Sequence, residues 1–250
     1  MSGLNQTLAR MRDLKLSSMA DALQHQMETP NLHQLGFEER LGILIEHEWA
    51  ERENRKLKRL VRGAGLPEAA CLEDLDYRTT RNLDKSFIAG LSACEWVRRQ
   101  QNLIILGATG LGKTWLASAF ATQACRLKLA AGFYRVSDLF TDIALATLDG
   151  SLPKLKAALN KPQLLILDDF GIGNMTVQAA HVLLDVVDRR MRTGSLLITS
   201  QYPTDQWHGF FPDPTIADAV LDRVVHQAHR IQLKGESMRK LQAKKRLQEE

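Results

Sequence analysis

Hydrophobic positions along this chain change their spacing partway through. Over the first 65 residues they recur every three or four: Leu4, Leu8 and Met11, then Leu16, Met19, Leu23 and Met27, then Leu41, Leu44, Ile45 and Trp49. That period lines apolar side chains along one face of an α-helix. The stretch "ETPNLHQLG" interrupts it, because Pro30 lacks an amide proton and Asn31 favours a turn. Helical spacing resumes at Phe37 and turns strongly charged after Glu51, and "GAGLP" (Gly63–Pro67) closes the segment.

Beyond Ala69 the pattern becomes one of short apolar runs. "NLIIL", "AGFYRV", "QLLILDD", "GSLLITS" and "HRIQL" are separated by longer stretches with helical spacing, among them "KTWLASAFATQACRLKL", "TVQAAHVLLDVVDRRMR" and "TIADAVLDRVVHQA". Consecutive apolar residues fit strands buried on both faces. Strands alternating with helices predict an α/β fold with a five-stranded parallel sheet between helices. Ser137 and Asp138 read as the cap pair of the helix "SDLFTDIALATL". Three regions result: a small all-α domain over 1–65, an α/β domain over 66–233, and a basic tail over 234–250.

Charge sharpens this division. The net charge of +4 over 250 residues is unevenly placed. Glu51–Arg62 has six basic and two acidic residues, and Lys234–Glu250 six basic and three acidic. The rest of the chain is net negative, so a polyanion would be met at two patches. The cysteines, Cys71, Cys94 and Cys125, are widely spaced and odd in number, which suits reduced thiols and neither a zinc site nor a disulfide framework. The longest apolar runs are far too short to cross a bilayer, and the N-terminus lacks the apolar centre of a signal peptide. A cytoplasmic protein with no membrane partner is expected.

The chemistry begins at "LIILGATGLGKTW". Gly107–Thr114 fits the pattern G-x-x-x-x-G-K-[ST], after an expected strand and opening an expected helix. Gly107, Gly110 and Gly112 let successive backbone N–H groups converge, and the helix presents its positive end to the same point. Lys113 reaches the β- and γ-phosphates, and the Thr114 hydroxyl is a ligand for Mg²⁺. The nucleotide-binding set is Gly107, Ala108, Thr109, Gly110, Leu111, Gly112, Lys113, Thr114 and Trp115, with ATP and Mg²⁺ as the cofactors. In "QLLILDDFG" two acids follow four apolar residues, at the strand end where ligands gather in such sheets. Asp168 would hold the metal through water, and Asp169 would orient or deprotonate an attacking water.

The ordered set "RNLDKSFIAGLSACEWVRRQQNLIILGATGLGKTWLA", "LLILDDFG", "ITSQYPTDQWH" and "DPTIADAVLDRVVHQAHRIQLKGESMRK" resembles the AAA+ ATPases, and within them the IstB-like transposition helpers, relatives of the DnaC-type helicase loaders. The likeness spans nearly the whole chain. It implies an N-terminal helical domain, a reduced or missing lid, and a γ-phosphate sensor at Ser200 or Gln201. It also implies an arginine finger at Arg223, and Arg239 is a candidate second sensor. A finger acting from a neighbouring subunit makes the active unit an ATP-dependent homo-oligomer.

Duplex DNA is the expected partner. In initiator-type relatives a helix near Lys154, Lys156 and Lys161 lines the inner surface of a spiral, and Arg55, Lys58 and Arg59, with Arg52, Lys56 and Arg62, add phosphate contacts from the N-terminal side. The resemblance implies a transposase or integrase of the same element as the second partner, with ATP hydrolysis, stimulated by DNA, driving disassembly. A replicative helicase loader shares the ATPase core and remains the alternative. A small-molecule kinase would need a lid and a pocket of convergent arginines, and neither is evident.

Overall fold

The computed structural model describes residues 3–77 and 82–238. The chain divides into two compact units, Met1–Arg59 and Leu60–Glu250. In the first, helices α1 (Gly3–Asp13) and α2 (Ser17–Glu28) precede a 3-10 turn, Pro30–Gln34, that falls where Pro30 breaks the helical pattern. Helix α3 (Phe37–Ala64) then runs across the boundary between the units. Glu48 of α3 is buried and holds this unit together. It accepts the Met19 N–H at 2.9 Å, one of the amides that the first turn of α2 leaves without a helical partner. Arg52 donates to it at 2.7 Å and reaches the Lys15 carbonyl, and Arg55 lies 3.4 Å away. Burial alone would raise the Glu48 carboxyl, but the hydrogen bonds from Arg52 and Met19 and the two arginine charges outweigh it and hold the group below its ordinary value. The period of α3 is as expected, yet only Leu44 of its apolar set is buried; Leu41, Ile45 and Trp49 are exposed.

The second unit holds the sheet. Its elements are α4 (Lys85–Ser92), α5 (Glu95–Arg98), β1 (Asn102–Leu106), α6 (Lys113–Arg126), β2 (Ala131–Arg135), α7 (Val136–Leu148) and α8 (Leu152–Asn160). β3 (Leu164–Phe170), α9 (Val177–Arg190), β4 (Ser195–Ser200), α10 (Pro214–Val225) and β5 (Ala228–Gln232) complete it. All pairings are parallel, in the order β2-β3-β4-β1-β5, so β4 lies between the strand that leads into the glycine loop and the strand that carries the acidic pair. Alternate side chains separate two buried faces. Ile104, Leu106, Leu165, Leu167, Leu196 and Ile198 share one core with α7, α9 and α10, where Phe170 meets the fully buried Trp207 at 4.7 Å between ring centres. Leu103, Ile105, Leu164, Ile166 and Leu197 are buried on the other.

Side-chain caps on Asp84, Thr176 and Asp213 start α4, α9 and α10. The expected cap at Ser137 and Asp138 is not used. β2 passes straight into α7 at Val136, which places both residues inside the first turn, bonded to each other. Arg190 is buried at the starting edge of β3 and β4, where its guanidinium donates to the carbonyls of Leu159, Pro162, Gln163 and Ser195. Desolvation lowers it to about 10. No helix among the described residues is long and apolar enough to cross a membrane. Arg239 and the remainder of the basic tail lie outside the described residues.

Candidate nucleotide site

The loop Gly107–Gly112 connects β1 to α6 at the carboxyl edge of the sheet. Gly112 caps the helix at φ 87°, and Gly110 sits at φ 85°, a conformation that costs other residues more than glycine. Leu111 is buried and anchors the loop, Ala108 and Thr109 are exposed at its tip, and Trp115 is half-buried in the first turn of α6. Lys113 is only 6% exposed, and its ammonium donates to the Ala108 carbonyl at 3.2 Å. The cation is thereby held against the loop it is expected to serve.

Asp168 is fully buried and faces Thr114, whose hydroxyl lies 3.1 and 3.0 Å from its two carboxylate oxygens. The strand register explains how two adjacent acids reach different surroundings. Leu167 pairs with Ile198 and Phe170 with Ser200, so Asp168 and Asp169 together oppose the single residue Thr199. This is a β-bulge, which bends the strand and re-aims side chains. Asp169 takes a φ of 59°, a conformation that aspartate tolerates better than most residues. Its carboxylate is about one-third exposed and lies 3.8 Å from Arg135 Nε at the end of β2.

Thr199 is the residue that the sequence reading missed. Its hydroxyl donates to Asp168 Oδ1 at 2.6 Å and accepts the Asp169 N–H at 3.0 Å, so one buried side chain fixes both members of the pair. Arg135, the register partner of Asp168, was missed as well. Burial raises the Asp168 carboxyl and the Asp169 charge adds to this, while hydrogen bonds from Thr199 and Thr114 and the charge of Arg135 oppose the rise. A buried carboxylate beside a threonine hydroxyl is a hard oxygen donor set, and it fits a magnesium ion that keeps waters and phosphate oxygens as its other ligands.

The remaining candidates divide. Ser200 is buried and spends its hydroxyl within the fold, donating to the Phe170 carbonyl at 2.7 Å and accepting the Tyr202 N–H at 3.1 Å. Gln201 instead reaches the glycine loop, where its Oε1 accepts from the Thr109 hydroxyl at 2.9 Å. Of the two sensor candidates, only Gln201 contacts that loop through its side chain. Arg223 lies on α10, paired through Nε with Asp188 of α9 and donating to the Ala219 carbonyl at 2.5 Å. It borders an open groove of about 640 Å³ shared with Thr204, Thr215, Asp218, Asp222 and His226. Lys154 and Lys161 are exposed, whereas Lys156 is paired with Asp185 of α9. Lys58 and Arg59 are exposed, and Arg55 is held by Glu48.

A phosphate-type loop, an acidic pair two strands away and a polar residue on the strand between them define a nucleotide-binding protein of the AAA+ fold. The solved structures agree. A crystal structure of DnaI covers 71% of this chain and 94% of its own at a TM-score of 0.57 and 20% identity. AMPPCP-bound DnaA from Aquifex aeolicus covers 74% of this chain and 56% of its own at 0.55 and 15%. At such identities the likeness shows the fold alone. The chain belongs to the family of IstB-like ATP binding proteins, whose profile matches residues 9–246. It is 42% identical over 239 residues to the insertion sequence ATP-binding protein y4pL of Sinorhizobium fredii, covering 96% of this chain and 98% of that one. It is 43% identical over 199 residues to the ATP-binding protein of insertion sequence IS1162 from Pseudomonas fluorescens, covering 79% and 86%.

Proposed function

We propose that this protein is an ATPase that assembles on duplex DNA and serves the transposase of its insertion sequence, with hydrolysis releasing the assembly. The observation that carries the reading is the acidic pair bridged by Thr199 and set against Thr114 of the glycine loop. Membership of a family of insertion sequence ATP-binding proteins supplies the biological setting.

The residues divide the work. The loop amides from Ala108 to Gly112 and the start of α6 hold the β- and γ-phosphates, and the Lys113 ammonium leaves the Ala108 carbonyl to pair with them. Thr114 and Asp168 hold Mg²⁺, which when bound offsets phosphate charge. Asp169, more exposed than its neighbour, orients the attacking water and accepts its proton. Arg135 lies beside Asp169 and orients its carboxylate for that task. Gln201 senses the γ-phosphate from across the loop, and Ser200 braces the turn behind it.

Arg223 completes the site of a neighbouring copy. Asp188 and Ala219 occupy two of its N–H groups and leave the outer edge of the guanidinium for a phosphate in trans. Such an arginine accelerates phosphoryl transfer by about 10³–10⁵-fold. Lys154 and Lys161 of the α/β unit, and Lys58 and Arg59 of the helical unit, contact the DNA backbone without reading sequence. The N-terminal helical unit is the surface that engages partner proteins, and the α/β unit is the motor.

Phosphate release from mixed variants tests this reading. Lys113→Ala binds no nucleotide but still donates Arg223; Arg223→Ala binds nucleotide but donates nothing. Each alone should be inactive with DNA, and mixing should restore part of the turnover. No recovery at any ratio would refute action in trans.

A further inference from the structure

The chain leaves β5 and passes directly over the nucleotide loop. The Leu233 N–H donates to the Leu106 carbonyl at 2.8 Å, at the residue just before the loop. The Leu233 carbonyl lies so close to Gly107 that a Cβ there would come within 2.8 Å of it. Gly235, at φ 112°, then bends the chain. Ser237 packs its hydroxyl on Gly110, where any Cβ would collide with it, and the Met238 N–H donates to the Gly110 carbonyl at 2.8 Å. Both glycines are therefore required by an approaching segment as well as by a bound phosphate.

The hydrogen bond to Gly110 has a consequence for the cradle. A trans peptide is planar, and its C=O and N–H point in opposite directions. With the Gly110 carbonyl fixed on Met238, the Leu111 N–H of the same peptide is turned to the opposite side of the loop. An anion-binding nest needs its N–H groups on one side; a flipped peptide would present an oxygen to the phosphates instead.

We propose that Leu233–Met238 is a strap that holds the glycine loop in its phosphate-binding form before nucleotide arrives, with the Met238 N–H and the Ser237 hydroxyl as positioning groups. This rests on the assignment of Gly107–Thr114 as the phosphate cradle. By linkage, nucleotide must stabilise the strap as much as the strap favours nucleotide.

The test uses the full chain and its affinity for ATP. Met238→Pro removes this backbone donor and the native side chain and also fixes φ at that position, and the lost hydrogen bond should weaken binding about 2–12-fold. Met238→Ala keeps the donor and should bind as the wild type does. A chain ending at Lys234 should lose at least as much as Met238→Pro. In the unmodified protein, a slowly hydrolysed ATP analogue should slow hydrogen exchange at the Met238 amide about tenfold. Wild-type affinity in Met238→Pro, or equal losses in Met238→Pro and Met238→Ala, would overturn the strap. So would a Met238 amide indifferent to nucleotide. Normal ATP binding by Lys113→Ala would instead overturn the cradle assignment itself.

Discussion

Replacing Thr199 with valine removes one oxygen and leaves the shape of the side chain almost unchanged. That oxygen is fully buried and has two partners: it donates to the Asp168 carboxylate at 2.6 Å and accepts the Asp169 amide at 3.0 Å. A hydrogen bond to a charged group contributes about 1.5–3 kcal/mol, and stranding a buried amide costs about 1–3 kcal/mol more. Valine fills the same space, so no cavity term is added, and partial relaxation brings the expected loss to about 3 kcal/mol. Thr199→Ser keeps the hydroxyl and should lose only about 1 kcal/mol for its missing methyl. The two acids are also aligned by this contact, and a displacement of about 1 Å in such a site costs on the order of 100-fold in rate. Urea unfolding followed by tryptophan fluorescence reads the first effect, and phosphate release with DNA reads the second. A valine variant within 0.5 kcal/mol of wild type by the ordinary scatter of surface changes, and with normal turnover, would refute the bridging role.

Three further outcomes follow from the same geometry. Asp169→Asn should bind ATP and assemble on DNA yet fail to release phosphate; normal turnover would remove Asp169 from the mechanism. Lys154→Ala should reduce the slope of log affinity for duplex DNA against log salt by about 0.9, whereas Lys156→Ala, whose ammonium already pairs with Asp185, should change it little. Glu48 has a depressed carboxyl, so its stabilising contribution is present above the unfolded value near 4.5 and is lost as pH falls through the lower folded value. Protection of the Met19 amide against hydrogen exchange should therefore fall as pH drops below about 4.5, and Glu48→Gln should remove that pH dependence and leave the amide weakly protected throughout.

What the sequence made legible follows from where the information resides. The glycine loop could be read because its chemistry is local: residues 107–114 supply the turn, the amides, the cation and the hydroxyl themselves. The three central strands could be read because a strand covered on both faces is apolar at nearly every position, and the partly exposed edge strands β2 and β5 could be read from their alternation with helices. Thr199 could not, since its role depends on a bulge that sets two residues against one across β3 and β4. The available signal was a polar side chain ending the buried run "LLIT", but spacing alone cannot say which strand lies beside it. Arg135 was hidden for the same reason, as it comes from β2 and meets Asp169 only through the strand order. Lys156 is a candidate DNA contact by sequence, and spacing alone does not show that it pairs with Asp185, 29 residues away. The stripe Leu41, Ile45 and Trp49 marked α3 as a helix, but periodicity does not reveal that the buried Glu48 has arginine and amide partners that let it turn inward.

The central claim is that ATP is bound at a seam that two copies of the chain complete together. Sedimentation of the full chain with duplex DNA, Mg²⁺ and a slowly hydrolysed ATP analogue tests it most directly. A large DNA-bound assembly should form only with nucleotide and be lost in Lys113→Ala. A chain that remains a single copy, binding DNA equally with and without nucleotide, would contradict it.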